Sequence, residues 1–458
     1  MTPEEQMAAL GRTLPLLSVL PFVALLVAIA VLPLVYGHWW EKNRNKAYVS
    51  ALLALPVALY FLVLGGPGGH EALLEKILEY LSFIILLGAL YVISGGIYLQ
   101  GSLSGTPLGN TAILGIGAVL ANFIGTTGAS VVLIRPLLRA NKRRHQKAHI
   151  VVFFIFVVAN CGGLLTPLGD PPLFLGFLKG VPFGWTLRLW PAWLLVNLLL
   201  LLVFNLWDQA ALAREEKAGR SSLLDAVLEH EPFRIHGQHN LALLVGIVLV
   251  IIASGRGFLN GGSPWPFGIS EAGMSGLAVV AYLTTPAVNR RRNEFTFGPI
   301  VEVAVLFAGI FVTMAPALLI LNAWGQGERE VMGMAFALRH PWQFFWATGL
   351  LSSVLDNAPT YLTFSATAAG IAGVEAHGLF LKAYLATGPE AARLLAAIST
   401  GAVFMGANTY IGNGPNFMVK AIAEERGVKM PGFFGYMVYS SGILLPIFVV
   451  VTLVFFRT

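Results

Sequence analysis

Charged side chains are scarce in this chain. Asp, Glu, Lys and Arg make up 11% of its 458 residues, whereas a soluble protein contains roughly 25%. Hydrophobic residues make up 56%, so the composition indicates a polytopic membrane protein. The single cysteine, Cys161, excludes an intrachain disulfide. The sequence contains no glycine-rich phosphate loop, no nucleophile elbow and no His or Cys cluster at metal-ligand spacing, which argues against the common soluble enzymes and an ATP-driven pump.

Ten apolar runs approach or exceed the roughly 20 residues that a membrane-spanning helix needs. Those of the first half are 14–36, 48–66, 78–100, 148–178 and 185–206, and those of the second half are 240–255, 269–287, 299–322, 392–419 and 434–456. The first run follows a short polar lead, and we expect it to be a membrane span rather than a cleavable signal. The expected fold class is therefore an all-α polytopic membrane protein.

Between the third and fourth run of each half lies a longer and less regular apolar segment. These segments cover 107–139 and 342–371, and each contains a central break, at Gly125-Thr-Thr-Gly128 and at Asp356-Asn-Ala-Pro359. An apolar segment of about thirty residues with a central break fits a re-entrant hairpin better than one straight span. The sequence therefore predicts two re-entrant hairpins.

The fourth run of each half contains a similar interruption. The first reads Gly163-Leu-Leu-Thr-Pro-Leu-Gly-Asp-Pro-Pro172, and the second reads Gly406-Ala-Asn-Thr-Tyr-Ile-Gly-Asn-Gly-Pro415. At a constant offset of 243 residues, Gly, Thr, Gly and Pro coincide, and Asp170 is matched by Asn413. A bilayer penalises unpaired backbone groups, so a broken helix is tolerated only where it lines an enclosed or water-filled cavity. Two discontinuous transmembrane helices at matched positions indicate the substrate site of a secondary transporter.

The matched features follow one another in the same order in both halves. Because each predicted hairpin returns to the side that it entered, the halves must have opposite orientation, which predicts an inverted structural repeat. The hairpin tips overlay Asn122 on Asp356, at an offset of 234. We expect a first repeat over 1–206 (hairpin 107–139, broken helix 148–178), a cytoplasmic linker over 207–239, and a second repeat over 240–458 (hairpin 342–371, broken helix 392–419).

The charged loops predict the orientation of the chain. The loops that fall on one side of this topology contain 18 Lys and Arg, and they cover 37–47, 139–148, 207–239, 288–296 and 420–430. The positive-inside rule places these loops in the cytoplasm. Both termini are then periplasmic or extracellular, in a membrane of the bacterial inner-membrane type. The net charge of +6 is concentrated in such loops and does not indicate a nucleic-acid partner.

Few ionisable residues lie deep in the apolar segments, where such residues are usually functional. Asp170 lies in the first break, and a carboxylate beside freed backbone carbonyls suits Na⁺ and can take up a proton instead. Asp356 and Asn357 at the second hairpin tip are similar candidates for binding a cation. The alternative for both acids is that they cap the helices that follow. The neutral polar groups that could bind a cation or substrate, or else satisfy broken backbone, belong to Asn122, Thr126, Asn160, Thr166, Asn408, Thr409, Asn413 and Asn416.

Three other charged residues are weaker candidates. Glu79 and Glu302 lie near matched helix starts, and we expect them to be interfacial, although a functional role stays open. Arg135 could hold an anionic substrate or balance an aspartate. Its position beside Arg139 in the first hairpin favours the cytoplasmic interface instead.

These motifs resemble those of the ArsB/NhaD permeases, within the larger ion transporter superfamily. The segment from Gly162 to Pro172 resembles the signature GG-x-x-T-x-x-GDPPN, and Asp356-Asn-Ala-Pro359 resembles the segment D-N-x-P. The segment from Asn408 to Asn416 looks like the second-half counterpart, and the resemblance extends from about residue 50 onward. The chain departs from the signature at Leu173, where the family has Asn. It also lacks the paired Ser-Asn-Thr tips of the carboxylate branch.

The resemblance implies an inverted-repeat transporter with a central site between two hairpins and two interrupted helices. Members are often homodimers with a scaffold domain and a mobile transport domain. Their activities include Na⁺/H⁺ antiport, arsenite efflux and Na⁺-coupled uptake of di- and tricarboxylates. Apart from transported Na⁺ and H⁺ we expect no cofactor. The expected partners are the lipid bilayer, a small ion or small anionic substrate, and a second copy of the chain.

Two buried acids without an obvious anion-binding arginine favour NhaD-like Na⁺/H⁺ antiport. Na⁺ and protons would then neutralise Asp170 and Asp356 in turn as the site faces each side of the membrane. Three alternatives stay open. They are cation-coupled transport of an organic anion such as citrate, oxyanion efflux, and a channel or a membrane scaffold without turnover.

Overall fold

The computed structural model describes residues 3–100, 105–218, 234–261, 263–327 and 338–457. Within these ranges the chain is almost entirely helical, and seven helices are long and apolar enough to cross a membrane. The described strands are β1 (Tyr98–Gln100) and β2 (Arg234–His236), which pair in antiparallel fashion. The protein is therefore an all-α membrane protein with one small ribbon.

The first half begins with an amphipathic N-terminal helix and ends with a long apolar one. Its helices are α1 (Pro3–Thr13), α2 (Leu20–Val35), α3 (Gly37–Trp40), α4 (Asn43–Val63), α5 (Gly66–Gly95), α6 (Pro107–Ala140), α7 (Ala148–Val157), α8 (Pro171–Leu178) and α9 (Trp190–Lys217). Short 3₁₀ segments cover Leu16–Val19, Cys161–Leu164 and Phe183–Leu189.

The second half repeats the order of long helix, paired helices and interrupted helix. Its helices are α10 (His239–Gly255), α11 (Ile269–Thr284), α12 (Ala287–Arg292), α13 (Gly298–Gly325), α14 (Pro341–Val354), α15 (Asn357–Ile371), α16 (Phe380–Ala386), α17 (Pro389–Met405), α18 (Gly414–Glu425) and α19 (Phe433–Val451). A 3₁₀ turn covers Gly406–Asn408, and a π-helical turn covers Thr452–Phe456.

Helix α9 continues to Lys217, beyond residue 207 where the linker is predicted to start. Two acids on this extension are buried and account for the difference. Asp208 and Glu215 lie 2.7 and 3.3 Å from guanidinium nitrogens of Arg144, so they hold the end of α9 against the protein. Residues 219–233 of the predicted linker, including its acidic cluster at 229–231, lie outside the described residues.

Helix α6 folds back on itself at Gly125. This glycine has φ 76° and ψ 156°, in a region that side-chain-bearing residues rarely adopt. Asn110 and Asn141 exchange two side-chain hydrogen bonds of 3.0 and 2.7 Å although they are 31 residues apart. In one straight helix that separation would be about 46 Å. The two arms of α6 therefore lie side by side.

Helices α14 and α15 form a similar pair in the second half. The chain leaves the helical conformation at Leu355 and Asp356. The rings of Phe344 and Phe364, one on each arm, lie 6.4 Å apart. The two chain reversals bring Gly125 and Asp356 to the tips of paired helices.

The core is centred on α7. Every residue of this helix from His149 to Val157 is buried, which is why its sequence is apolar on all sides rather than amphipathic. It packs against α6, α9 and α18. The helix ends just before Asn160, so the first interruption begins in the middle of the protein.

Candidate substrate and cation site

The two interrupted helices are built in the same way. In the first, a 3₁₀ turn and an irregular stretch separate α7 from α8, and in the second they separate α17 from α18. A side chain on Gly169 would collide with the carbonyl oxygen of Gly163, and one on Gly412 would lie 2.6 Å from the carbonyl oxygen of Gly406. The matched glycines predicted from the sequence are thus needed for the backbone to approach itself closely.

Four helix N-termini converge at the centre of the protein. Asp170 is the N-cap residue of α8, and Asn413 is the N-cap residue of α18. Asn357 is the first residue of α15, and Thr126 follows the bend at Gly125 that starts the second arm of α6. Each helix N-terminus carries about half a positive charge. The centre therefore offers backbone N–H groups, rather than lysine or arginine, to a negative group.

Asp170 accepts hydrogen bonds from residues at the other three helix starts. Its Oδ1 accepts from Thr126 Oγ1 at 2.9 Å and from Asn413 Nδ2 at 3.0 Å. Its Oδ2 accepts from Asn357 Nδ2 at 2.5 Å. Asp170 is 1% exposed, and within the described ranges no Lys or Arg is paired with it. Neutral donors and helix ends therefore surround a buried acid.

Asp170 and Asp356 differ in what their carboxylates do. Asp356 caps its own helix, because its Oδ1 accepts a hydrogen bond from the backbone N–H of Ala358 at 3.1 Å. Asp170 occupies an N-cap position but makes no capping bond. No hydrogen bond joins the two acids in the described part of the chain, and Asp356 is partly exposed where Asp170 is buried. The helix-capping alternative thus describes Asp356 and not Asp170.

Two further asparagines connect the interruptions behind Asp170. Asn160 Oδ1 accepts from Asn413 Nδ2 at 3.2 Å, and Asn160 Nδ2 donates to Asn416 Oδ1 at 2.7 Å. Both Asn160 and Asn416 have no exposed surface. They form a continuous chain of amides that links the first interruption to the second.

The remaining candidates bind groups at the tips and interruptions rather than Asp170. Thr166 Oγ1 and Thr409 Oγ1 donate at 2.5 Å to the carbonyl oxygens of Asn122 and Ser353. The side chain of Asn122 donates to Gly162 O and accepts from the N–H of Leu165. Asn408 Nδ2 donates to Ser353 Oγ at 2.8 Å. These residues satisfy polar groups that the broken helices leave unpaired, and they hold each hairpin tip against its interruption.

These contacts correct the overlay of the two hairpin tips. Thr166 and Thr409 are matched at offset 243, and they bind the carbonyls of Asn122 and Ser353, which are 231 residues apart. The sequence overlay used 234 and paired Asn122 with Asp356. At 231, Thr126 matches Asn357, and both donate to Asp170. The three-residue error arose because a tip without regular periodicity gives no register in the sequence.

The sequence also missed a cluster of four charges near the end of α8, in which both lysines are buried and both glutamates are partly exposed. Lys179 lies 2.6 Å from Glu75 and contacts Glu79, and Lys76 lies 3.0 Å from Glu79. Lys179 and Lys76 are 2% and 5% exposed. The cluster joins α5 to the helix that begins at Asp170. Lysine can bury its long stem in apolar surroundings, so its place in a loop of the sequence gave no sign of its burial.

The other charged candidates form ion pairs away from Asp170. Glu302 pairs with Lys46 at 2.7 Å. Arg135 lies 3.1 Å from Glu294, which also contacts Arg426. Within the described residues no group of three or more His, Cys, Asp or Glu side chains could hold a metal ion. Among these candidates, Asp170 is the acid that is buried and accepts hydrogen bonds from three neutral side chains.

One comparison with known proteins identifies a family. Residues 11–456 match CitMHS_2, a family described as "Putative citrate transport". The chain belongs to this family. No curated protein matches it. Membership of CitMHS_2, together with seven apolar helices of membrane-spanning length, makes the chain a multi-pass secondary transporter. Its assignment to the ArsB/NhaD permeases stays an expectation from the motifs.

Proposed function

We propose that the protein transports citrate or a related organic anion across the membrane and couples this movement to a cation or proton bound at Asp170. The observation that carries the proposal is the convergence of four helix N-termini on one buried acid, in a chain whose family is described as citrate transport. The backbone N–H groups at these ends favour a negative group where they point. They can hold a substrate carboxylate beside Asp170 once a cation or proton neutralises that acid.

Citrate has three carboxyl groups, and its charge is greater than the helix ends balance. Co-transported cations or protons would neutralise the remainder, and Asp170 would hold one of them. The amide of Asn357 and the hydroxyl of Thr126 would serve both ions, because each group can donate to a carboxylate and can turn its oxygen towards a cation. Asn357 Oδ1 is buried and has no hydrogen-bond partner among the described residues, which supports a ligand beside it.

We infer that alternating access uses the two paired helices as re-entrant hairpins in an inverted repeat. The hydrogen bond between Asp170 and Asn413, which occupy matched positions, supports an axis of internal symmetry through the site. Leu165, Leu355, Asp356 and Ile411 are partly exposed although they lie at the interruptions or the second tip. This supports access to the site beside that tip. We also propose that the protein lies in the inner membrane, that both termini are outside the cytoplasm and that two copies form a homodimer.

The test is uptake of labelled citrate into proteoliposomes under an imposed Na⁺ or pH gradient. We expect saturable uptake that depends on one of the gradients and is lost in Asp170→Asn. Asp356→Asn is the matched control, since its carboxylate caps a helix, and it should retain measurable uptake. Gradient-independent uptake, or wild-type uptake by Asp170→Asn, would contradict the proposal.

Na⁺/H⁺ antiport is the second candidate. The observation that favours it is that Asp170 is surrounded by neutral donors, with no lysine or arginine paired to it in the described part of the chain, so a proton or a small cation can neutralise it. The same proteoliposomes, loaded with a pH-sensitive dye and free of organic anions, test this directly. A pH change on addition of Na⁺ supports antiport, and its absence together with citrate uptake supports the first proposal alone.

A further inference from the structure

Position 413 is surrounded by hydrogen-bond acceptors. The Nδ2 of Asn413 lies 3.2 Å from the carbonyl oxygen of Ala159, 3.2 Å from Asn160 Oδ1 and 3.0 Å from Asp170 Oδ1. An amide nitrogen has two hydrogens and no lone pair available for accepting. A side chain at this position must therefore donate.

The orientation of the neighbouring amides is fixed by backbone carbonyls. Asn416 Nδ2 donates at 2.9 Å to both Gly406 O and Thr409 O, so Asn416 Oδ1 faces Asn160. Asn160 Nδ2 donates to this oxygen and also to Ile155 O at 2.8 Å. The only atom that Asn160 can then present to position 413 is its oxygen. Reversing any amide would place oxygen against oxygen.

Burial makes this arrangement rigid. Asn160, Asn413 and Asn416 are at most 2% exposed, so water cannot easily replace a lost partner. A buried polar group without a partner destabilises a protein by more than a made hydrogen bond stabilises it. The orientation of Asn416 therefore fixes that of Asn160, and Asn160 in turn presents an acceptor to position 413.

We propose that Asn160, oriented by Asn416, acts as a positioning residue that makes position 413 a donor and thereby confines the negative charge of the two interruptions to Asp170. A carboxylate at 413 would face three acceptors. This explains why the matched positions of the two breaks carry Asp in one case and Asn in the other. As a consequence, Asp170 and Asn413 together carry one negative charge, which one proton or one monovalent cation balances. Only this consequence rests on the proposed function.

The test is a double-mutant cycle of Asn413→Asp and Asn160→Ser, read by thermal unfolding of the purified protein without substrate. In Asn413→Asp one oxygen of the new carboxyl faces three acceptors, which favours its protonated form. Stability relative to wild type should therefore fall as the pH is raised, by about 2 °C or more in Tm. In the Asn160→Ser background the serine hydroxyl can donate to the new carboxylate, so the fall should be smaller.

The control is the cycle of Asn413→Asp with Asn197→Ser. Asn197 is also a buried asparagine, and it donates to Cys161 O at the first interruption and to Trp193 O in its own helix. Among the described residues it makes no hydrogen bond to Asn413. Its effect should add to that of Asn413→Asp at every pH. Equal pH dependence of Asn413→Asp in the Asn160→Ser and wild-type backgrounds would overturn the proposal.

A milder pair of variants keeps the test decisive if Asn413→Asp does not fold. Asn413→Ser retains a donor, whereas Asn413→Ala has none. We expect the serine variant to keep the wild-type pH dependence of unfolding and the alanine variant to change it. Identical profiles for the two variants would overturn the proposal. Because no transport is measured, this result is independent of whether citrate is carried.

Discussion

Asn413 donates a 3.0 Å hydrogen bond to Asp170, although 243 residues separate them. The two residues begin the helices that follow the two interruptions. The interruptions therefore share one centre rather than forming two separate sites. Changes to any group that donates to Asp170 should alter the same equilibrium between a bound cation and a bound proton.

Replacement of Thr126 tests this view of Asp170. Thr126→Val removes the 2.9 Å hydroxyl donor and keeps the volume of the side chain. A hydrogen bond to a charged group contributes about 1.5–3 kcal/mol, and a proton competes better with a cation when the ionised carboxylate loses a donor. We expect the KM for the coupling cation to rise by about tenfold or more, measured from initial rates of uptake.

Thr126→Ser is the control, because it retains the hydroxyl. Its KM for the cation should stay within about twofold of wild type, which corresponds to less than 0.5 kcal/mol. If Thr126→Val had the same cation dependence as Thr126→Ser, the hydroxyl would have no role in the site.

The close backbone approach at the second interruption predicts a difference between two neighbouring glycines. A methyl group on Gly412 would lie 2.6 Å from Gly406 O and 2.8 Å from Ser352 O, and both are backbone atoms that cannot turn away. A methyl group on Gly414 would meet nothing within 4 Å. Gly412→Ala should therefore be destabilised by about 1–3 kcal/mol or more, and Gly414→Ala should be unaffected. Thermal unfolding in detergent measures both, and equal Tm values would contradict the packing described here.

The fold-back of α6 can be tested by cross-linking. Asn110 and Asn141 are in side-chain contact at its two ends. In a background where Cys161, the one cysteine of the chain, is replaced by alanine, we expect Asn110→Cys together with Asn141→Cys to form an intramolecular disulfide. In a straight span the two sites would be about 46 Å apart.

A matched pair of cysteines gives the control for this experiment. Asn110→Cys combined with Thr126→Cys joins one end of α6 to its tip, and this pair should not cross-link. Labelling from one side of the membrane adds a second result. For this test the single variants are Leu108→Cys and Lys142→Cys, because both positions are exposed beside the buried asparagines. If a membrane-impermeant thiol reagent reaches both from the same side, α6 is re-entrant, and labelling from opposite sides would show that it spans.

The sequence predicted the positions of both interruptions because glycine and proline mark helix breaks whatever surrounds them. It also predicted Asp170 as the central acid, since a carboxylate within an apolar run is rare. It could not predict that Thr126, Asn357 and Asn413 would be the residues that reach Asp170. Asn122 and Asn408 are of similar type and lie as close to a break, but Asn122 donates to the carbonyl oxygen of Gly162 and Asn408 to the hydroxyl of Ser353. Only packing between the two halves separates these groups.

The charged residues show the same limit of prediction from sequence. Glu79 and Glu302 lie at corresponding helix starts in the sequence, yet Glu79 is mostly buried in a cluster of four charges and Glu302 is half-exposed beside Lys46. Lysine and glutamate are usually exposed, so their types favoured the interface. Burial of Glu79 depends on Lys179, which is 100 residues away in the chain. Such a contact has no local signal.

The cluster of four charges at the end of α8 gives the last prediction. Removal of one partner from a buried ion pair destabilises by about 3–5 kcal/mol, because it leaves an uncompensated charge. Lys179→Met leaves Glu75 and Glu79 with Lys76 alone, and we expect a loss of this size in the free energy of unfolding, measured by denaturation in mixed micelles. Adding Glu79→Gln restores charge balance, so the double variant should recover most of the loss. Arg393→Met, which removes an exposed partner of Glu390, should change stability by about 0–1 kcal/mol. Equal effects of Lys179→Met and Arg393→Met, or no recovery in the double variant, would show that the cluster does not hold α8 to α5.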